Sequence, residues 1–490
     1  MPDSRRQESL AFRGGFGFAL QVVLRLRGLI LIPILLRVLP PAEVGVMNLG
    51  NAFAGWATPL LLLGLNTGFA LRVVHLTGRA VRPALATVLA FSATFSVAAT
   101  LLMLLTVHLG LLRTTLAPLG PVLIPIGLLA VGTATRELAI VLPQVRQELS
   151  FIGQNSILMD FGGALLAITF VLMGFGAYGG LLGPAITSAI AAALAATFSL
   201  RTAEGPWAFD PDFLKSALRA ALPVVPLALA LWILQSSDYF FISHFDGTVS
   251  VAIYALAYNL ASPVLMAMAA MNLTYLPTCV EILGRGRVEF ARFIDASTRI
   301  FALGGVAAVA LSVVGGPLVT SWLAGPGYRE SGRLLPVIVG AYVLFSLAQL
   351  QQFVPGAMTQ NLAGAARAHL WAAAFNIVAN FALVPSYGYW GAAWATLVSY
   401  GLALVLLLRD VRTLLPETLW QESAWRFVAA AAASSALGLF LRPFTTSALA
   451  LVAFSMVSMV GTALLAAGLG LVSRADLAQL RDPRDKGSPA

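Results

Sequence analysis

Long apolar runs, broken by short polar segments, fill this chain almost from end to end. From one polar break to the next, the pattern predicts helical spans at 16–39, 44–71, 84–110, 116–141, 156–175 and 179–200. It predicts eight more at 217–243, 249–275, 300–323, 334–355, 366–385, 387–408, 425–441 and 447–472. Each run is close to the ~20 residues that a helix needs to cross the hydrocarbon of a bilayer. A polar stretch, RTAEGPWAFDPDFLK (201–215), separates the sixth run from the seventh, and only Gly176, Gly179 and Gly180 mark the break between the fifth and sixth.

Composition agrees with this pattern. Of 490 residues, 59% are hydrophobic and 10% charged, against about a quarter charged in a soluble domain. So few charges do not coat a water-facing surface. The expected fold class is an all-α polytopic membrane protein of about fourteen transmembrane helices. The N-terminal MPDSRRQES is polar, and arginines interrupt the first apolar run. A secretory signal has a clean apolar core and a small-residue cleavage site, so the first span is expected to stay in the mature chain. Cys279 is the single cysteine, which excludes an internal disulfide.

The net charge of +9 is spread over many short loops. No basic run with interleaved aromatics suggests a nucleic-acid partner. Instead the charges report topology, because cytoplasmic loops carry the excess of Lys and Arg. With the N-terminus inside, Arg37, Arg113, Arg329, Arg333 and Arg442 fall outside, Arg25 and Arg27 lie within the first span, and the other 23 of the 30 Lys and Arg fall inside. Both termini are therefore expected in the cytoplasm, as an even span count requires.

GAYGGLLGPAITSAIAAAL, from Gly176, resembles GYWGAAWATLVSYGLALVL, from Gly388. Setting Gly180 on Gly391 also pairs Tyr178 with Tyr389 and Ser188 with Ser399. A weaker match sets LPPAEVGVMNLGNAF (39–53) over FDGTVSVAIYALAYN (245–259). The parse that follows is an N-terminal lobe of six spans (1–202), a cytoplasmic linker (203–216), a second lobe of six spans (217–409) and two further spans with a cytoplasmic tail (410–490). Six is even, so both lobes start from the same side. They are parallel repeats about an axis along the membrane normal, an arrangement that encloses a central cavity and rocks between access states.

Charges inside the spans are the candidate chemistry. Only nine residues separate Arg27 from Arg37 and eleven separate Arg13 from Arg25. At about 1.5 Å per residue neither interval crosses the hydrocarbon, so any complete first span contains Arg25 and Arg27. A mid-membrane arginine costs at least a few kcal/mol in lipid and normally faces a cavity or a partner. Two residues apart on a helix, the pair points to nearly opposite sides; one lines a substrate path while the other snorkels toward the cytoplasm. Asp238, beside Gln235, Ser236 and Ser237 in the seventh span, is either an ion-coupling or gating site or an acid wetted by the outer interface. Pro223 and Pro226 kink that helix early. Asp160 is either a solvated charge at the inner end of the fifth span or a second coupling residue. Arg136 and Glu137 are placed to pair with each other's neighbours. Asn66, Asn376 and Asn380 are polar positions within spans. The last two are four apart and share a helix face, suited equally to interhelical hydrogen bonding and to a sugar contact.

His75, His108, His244 and His369 have no metal-ligand spacing, and no GxxxxGK[ST] phosphate loop or hydrolytic triad occurs. No cofactor is expected, and the chain reads as a non-enzyme.

Four stretches carry a family resemblance. LLRVLPPAEVGVMNLGNAF (35–53), LLLLGLNTGFALRVV (60–74), SSDYFFISHFDGTVSVAIYALA (236–257) and, most specifically, NIVANFALVPSYGYWGAAWATLVSY (376–400) resemble motifs of the multidrug/oligosaccharidyl-lipid/polysaccharide (MOP) exporter superfamily. Within it the chain looks most like the O-antigen type of polysaccharide transporters. The resemblance implies flipping of an undecaprenyl-diphosphate-linked oligosaccharide across the bacterial inner membrane, possible partners being polysaccharide polymerase and chain-length proteins. It implies that Arg25 grips the diphosphate, since guanidinium forks match phosphate oxygens, with Arg27, Asn66, Asn376 and Asn380 as further substrate contacts. Lysine is nearly absent from the spans, so the cationic cavity rests on very few residues. The alternatives are a lipid II flippase, a cation-coupled multidrug exporter of the same superfamily, and a non-transporting scaffold for glycan assembly. Drug exporters prefer cationic substrates, so cavity acids rather than arginines would mark that alternative.

Overall fold

A computed structural model describes residues 33–109, 117–359, 363–418 and 420–471. They are almost wholly helical, with no strand among the described residues. Among the described residues, ten helices are long and apolar enough to cross a membrane. An eleventh candidate span is the bent pair α1 (Pro41–Leu62) and α2 (Leu65–Val73), which meet at 46°. After them come α3 (Val81–His108), α4 (Leu123–Ala139) and two segments of a hairpin, α5 (149–175) and α6 (Gly176–Thr202).

Two of the ten helical stretches, Leu149–Thr202 and Ala363–Leu414, have 54 and 52 residues. Each folds back on itself. In the first, Thr187 Oγ1 donates to the Met159 carbonyl at 3.2 Å and Asn155 Nδ2 to the Ala191 carbonyl at 2.8 Å, contacts possible only between antiparallel arms. In the second, a Cβ at Gly391 would stand 2.5 Å from the Leu383 carbonyl oxygen. The turns lie at Gly176 (φ 56°, ψ −143°) and Gly388 (φ 54°, ψ −138°), a region only glycine enters freely. Counting each hairpin as two, the described residues hold thirteen membrane-length segments. The predicted first span, 16–39, lies largely outside the described residues, and Arg25 and Arg27 with it.

The matching dihedrals correct the repeat register by one residue. Gly176 corresponds to Gly388, so Gly179, not Gly180, corresponds to Gly391. Both sit where the returning arm touches the outgoing one: Gly179 against Phe170, Gly391 against Leu383.

The chain forms two compact units that divide between Ala252 and Ile253. Unit 1 therefore includes α7 (Pro211–Ala221), which the sequence parse divides between the linker and the second lobe, together with α8 (Val225–Ser236) and α9 (Asp238–Phe245), which it assigns to the second lobe. The reason lies in side-chain packing. Trp232 Nε1 donates to the Ala52 carbonyl at 3.1 Å, and Trp232, Trp56, Phe53 and Phe240 form a ring cluster between α1 and the α8–α9 helix. The linker is also bound to unit 1: Arg82 donates to the carbonyls of Leu200 and Gly205 and lies over the Trp207 ring. Asp210 caps α7 by accepting from the Phe213 N–H, with Pro211 at the first helical position, where its missing donor costs nothing.

Unit 2 holds α10 (Thr248–Ala261, which starts in unit 1), α11 (Pro263–Leu283), α12 (Arg287–Ala324), α13 (Arg329–Gln351), the hairpin α14 (Ala363–Leu414), α15 (Trp420–Leu441) and α16 (Ala448–Gly468). Lipid tails are as apolar as leucine, so burying leucine between helices gains little there; close backbone packing holds them instead. Gly316 of α12 meets Gly332 of α13 backbone to backbone. Inside the helices, Thr298 and Ser399 donate to carbonyls four residues back at 2.7 and 2.6 Å, so these two hydroxyls carry no unmet polar group into the membrane. Large apolar side chains face outward, Leu449 at 81% and Val428 at 71% exposure, the reverse of a soluble protein.

Candidate functional site

Unit 1 has a cavity at the α1–α2 bend. Pro59 interrupts the backbone ladder of α1, and Leu63 and Gly64 take left-handed conformations at φ 49° and 69°. The bend, α4 and the start of α8 enclose about 300 Å³, lined on its polar side by Thr58, Asn66, Thr67, Thr133 and Glu137. Asn66 Oδ1 accepts the Thr67 N–H at 2.9 Å. Asn66, predicted as a substrate contact, thus lies with an acid that sequence reasoning had not placed in a cavity.

Arg136 and Glu137 diverge because neighbours on a helix point about 100° apart. Arg136 turns to the hairpin, donating from Nε to Asn155 Oδ1 at 2.6 Å and from Nη2 to Ser156 Oγ at 2.8 Å. Asn155 passes the contact to the α6 backbone through Ala191. Asp160 lies within electrostatic reach of Arg136, on a π-helical turn, Leu158–Gly162. Such turns are frequent at functional sites. Arg136 is thereby tied to α5, and Glu137 faces the cavity.

Asp238 opens α9 after a break at Ser237 and is 1% exposed. Protein encloses it; the outer-interface water considered above does not reach it. Gln235, near the end of α8, is half-buried.

In unit 2, Asn376 and Asn380 are both fully buried, and Asn380 Nδ2 donates to the backbone and side-chain oxygens of Asn376 at 3.0 and 3.1 Å. The shared face expected from their spacing is present. Two residues missed in the sequence add to the buried polar core: the Tyr254 hydroxyl lies 3.5 Å from Thr396 Oγ1, and Tyr254 stacks toward Tyr258, which meets Tyr342. Thr396 stands within the same quoted motif as the asparagines, but on the other arm of the hairpin, where helical spacing carries no information. Between α15 and α16 runs an apolar groove of about 490 Å³, lined by Leu437, Gly461, Leu464 and Leu465 among others.

Thirteen membrane-length segments with buried polar groups among the described residues make this a multi-pass helical membrane protein, and the family match that follows places it among the membrane transporters of the MOP superfamily. The chain belongs to the family described as Polysaccharide biosynthesis protein, whose model matches residues 15–283. Among solved structures it resembles "Lipid II flippase MurJ, inward closed conformation" with a TM-score of 0.72 at 13% identity, over 92% of this chain and 99% of that one. It also resembles an inward-facing multidrug resistance MATE family transporter, with a TM-score of 0.55 at 16% identity, over 81% of this chain and 98% of that one. Identities this low speak for the fold alone. No curated protein matches the sequence.

Proposed function

We propose that this protein flips an undecaprenyl-diphosphate-linked oligosaccharide from the inner to the outer leaflet of the bacterial inner membrane, by alternating access of two lobes (1–202 and 217–409) and without catalysing a covalent step. The observation that carries this is the family match over more than half of the chain. Three features fit it. Arg25 and Arg27 supply guanidinium forks to a diphosphate. The cavity at Asn66 and the buried amides of Asn376 and Asn380 supply hydrogen-bond partners for sugars. The α15–α16 groove suits a polyprenyl tail, being apolar and open along a membrane-length helix pair. Asp238, Asp160 and Gln235 are assigned to ion coupling or gating, and both termini to the cytoplasm.

A second reading takes lipid II as cargo, the substrate named for the flippase whose fold this chain shares. Reconstitution separates the two. Vesicles holding the purified chain and a short undecaprenyl-diphosphate oligosaccharide should expose that lipid to an external glycan-modifying probe faster than empty vesicles. Exposure of lipid II alone would move the assignment to the second reading.

A further inference from the structure

Three of the five arginines that the charge rule places outside gather at one end of unit 2. Arg329 and Arg333 stand on the first turn of α13, and Arg442 follows the end of α15. The packing that brings them together is explicit. Gly332 of α13 lies against Gly316 and Pro317 of α12, and Gly438 of α15 lies 3.0 Å, measured to an added Cβ, from Val313 of the same helix. Val313 and Gly316 are within one turn, so both neighbouring helices meet α12 at the same height. Arg442 is one turn beyond Gly438, and Arg333 adjoins Gly332.

The charges do not balance. Glu330 accepts from Arg333 Nη1 at 2.6 Å. Arg442 feels both Arg329 and Arg333 as like charges and Glu330 as the one opposing charge. Three guanidiniums share one carboxylate, and Arg329 and Arg442 have no hydrogen-bond or ion-pair partner among the described residues. Gathering cations in this way is unfavourable unless an anion joins them. The helix N-terminus of α13 adds unpaired N–H groups at the same place. Exposed aromatic side chains flank the cluster, Trp322 at 43%, Phe440 at 69% and Phe444 at 55%, as at the headgroup level of a bilayer.

We propose that Arg329, Arg333 and Arg442 bind the phosphate of an anionic lipid headgroup in the leaflet at that end of the molecule, with its chains against Phe440 and Phe444. The site does not depend on the identity of the cargo. Fork-shaped donors suit a phosphate monoester or diester, and the aromatic flank selects a lipid over a free ion.

The test is native mass spectrometry of the full chain released from detergent, titrated separately with phosphatidylglycerol, phosphatidylcholine and inorganic phosphate. Wild type should retain one phosphatidylglycerol that the R329Q/R333Q/R442Q variant holds about tenfold or more weakly, with R219Q, in unit 1 and outside the cluster, as a control that binds as wild type. If the triple variant does not fold, R442K keeps the charge but loses the fork, and should still weaken retention of that lipid. Equal retention by wild type and both arginine variants would overturn the proposal. So would equal retention of phosphatidylcholine, or displacement of the lipid by inorganic phosphate at equal concentration.

Discussion

The Arg136 guanidinium donates to the Asn155 carboxamide at 2.6 Å, and Asn155 donates onward to the Ala191 carbonyl at 2.8 Å. One charged side chain thus joins α4, α5 and α6. Arg136→Met should destabilise unit 1 by about 2–3 kcal/mol, the scale of losing hydrogen bonds from a charged group. The check is the melting temperature in detergent together with protein level in the membrane. An unchanged melting temperature would show the network to be incidental.

Glu137 faces the cavity that Asn66 lines. Glu137→Gln keeps the shape and removes the charge, so folding and membrane level should stay normal. A carboxylate that takes part in the transport cycle should, once neutralised, slow flipping in vesicles by about tenfold, the equivalent of about 1.4 kcal/mol. Normal flipping would assign Glu137 a purely structural place.

The hairpin glycines offer a stability comparison. A side chain at φ near +55° and ψ near −140° costs about 1–3 kcal/mol, so Gly388→Ala should lower the melting temperature measurably. Gly176→Ala should do so too, because its Cβ would also strike the Glu43 carboxylate, which accepts the Ala177 N–H at 2.8 Å. An unchanged melting temperature for Gly176→Ala would mean that Glu43 moves aside freely.

Asn380 ties to Asn376 within a fully buried face. Asn380→Leu fills the volume without a donor and should cost about 1–2 kcal/mol, the modest worth of polar contacts within membranes, and should slow flipping if the face meets sugar. Unchanged transport in a properly inserted variant would reduce the pair to packing.

Much of this architecture was legible in the chain. Apolar runs locate the helices of the described residues closely, and the faint turn at Gly176 is a true reversal. Backbone conformation escaped the pattern: only the dihedrals of Gly176 and Gly388 set the repeat register, one residue from the match that side-chain similarity favours. Packing across distant segments escaped it too. Nothing at Trp232 announces that its indole reaches the Ala52 carbonyl and holds the α8–α9 helix in unit 1. The site was legible only in part. Asn376 and Asn380 follow from helical spacing, whereas Tyr254, Thr396 and the cavity face of Glu137 depend on which helices become neighbours. Asp238 shows the same limit, since its depth along the span left open whether water or protein surrounds it.

Arg25 lies outside the described residues, yet the proposed diphosphate contact rests on it. Arg25→Ala should reduce glycan export about tenfold or more at normal protein level, given the strength of charge-assisted forks. Export at the normal rate would remove Arg25 from the substrate path.

The most direct measurement of the central claim is the lipid profile of a host from which the gene has been deleted. Mass spectrometry should find a polyprenyl-diphosphate-linked glycan that accumulates, and that clears when the intact gene is restored. An unchanged profile, in a host with no second flippase, would contradict the account and point to a small molecule as cargo.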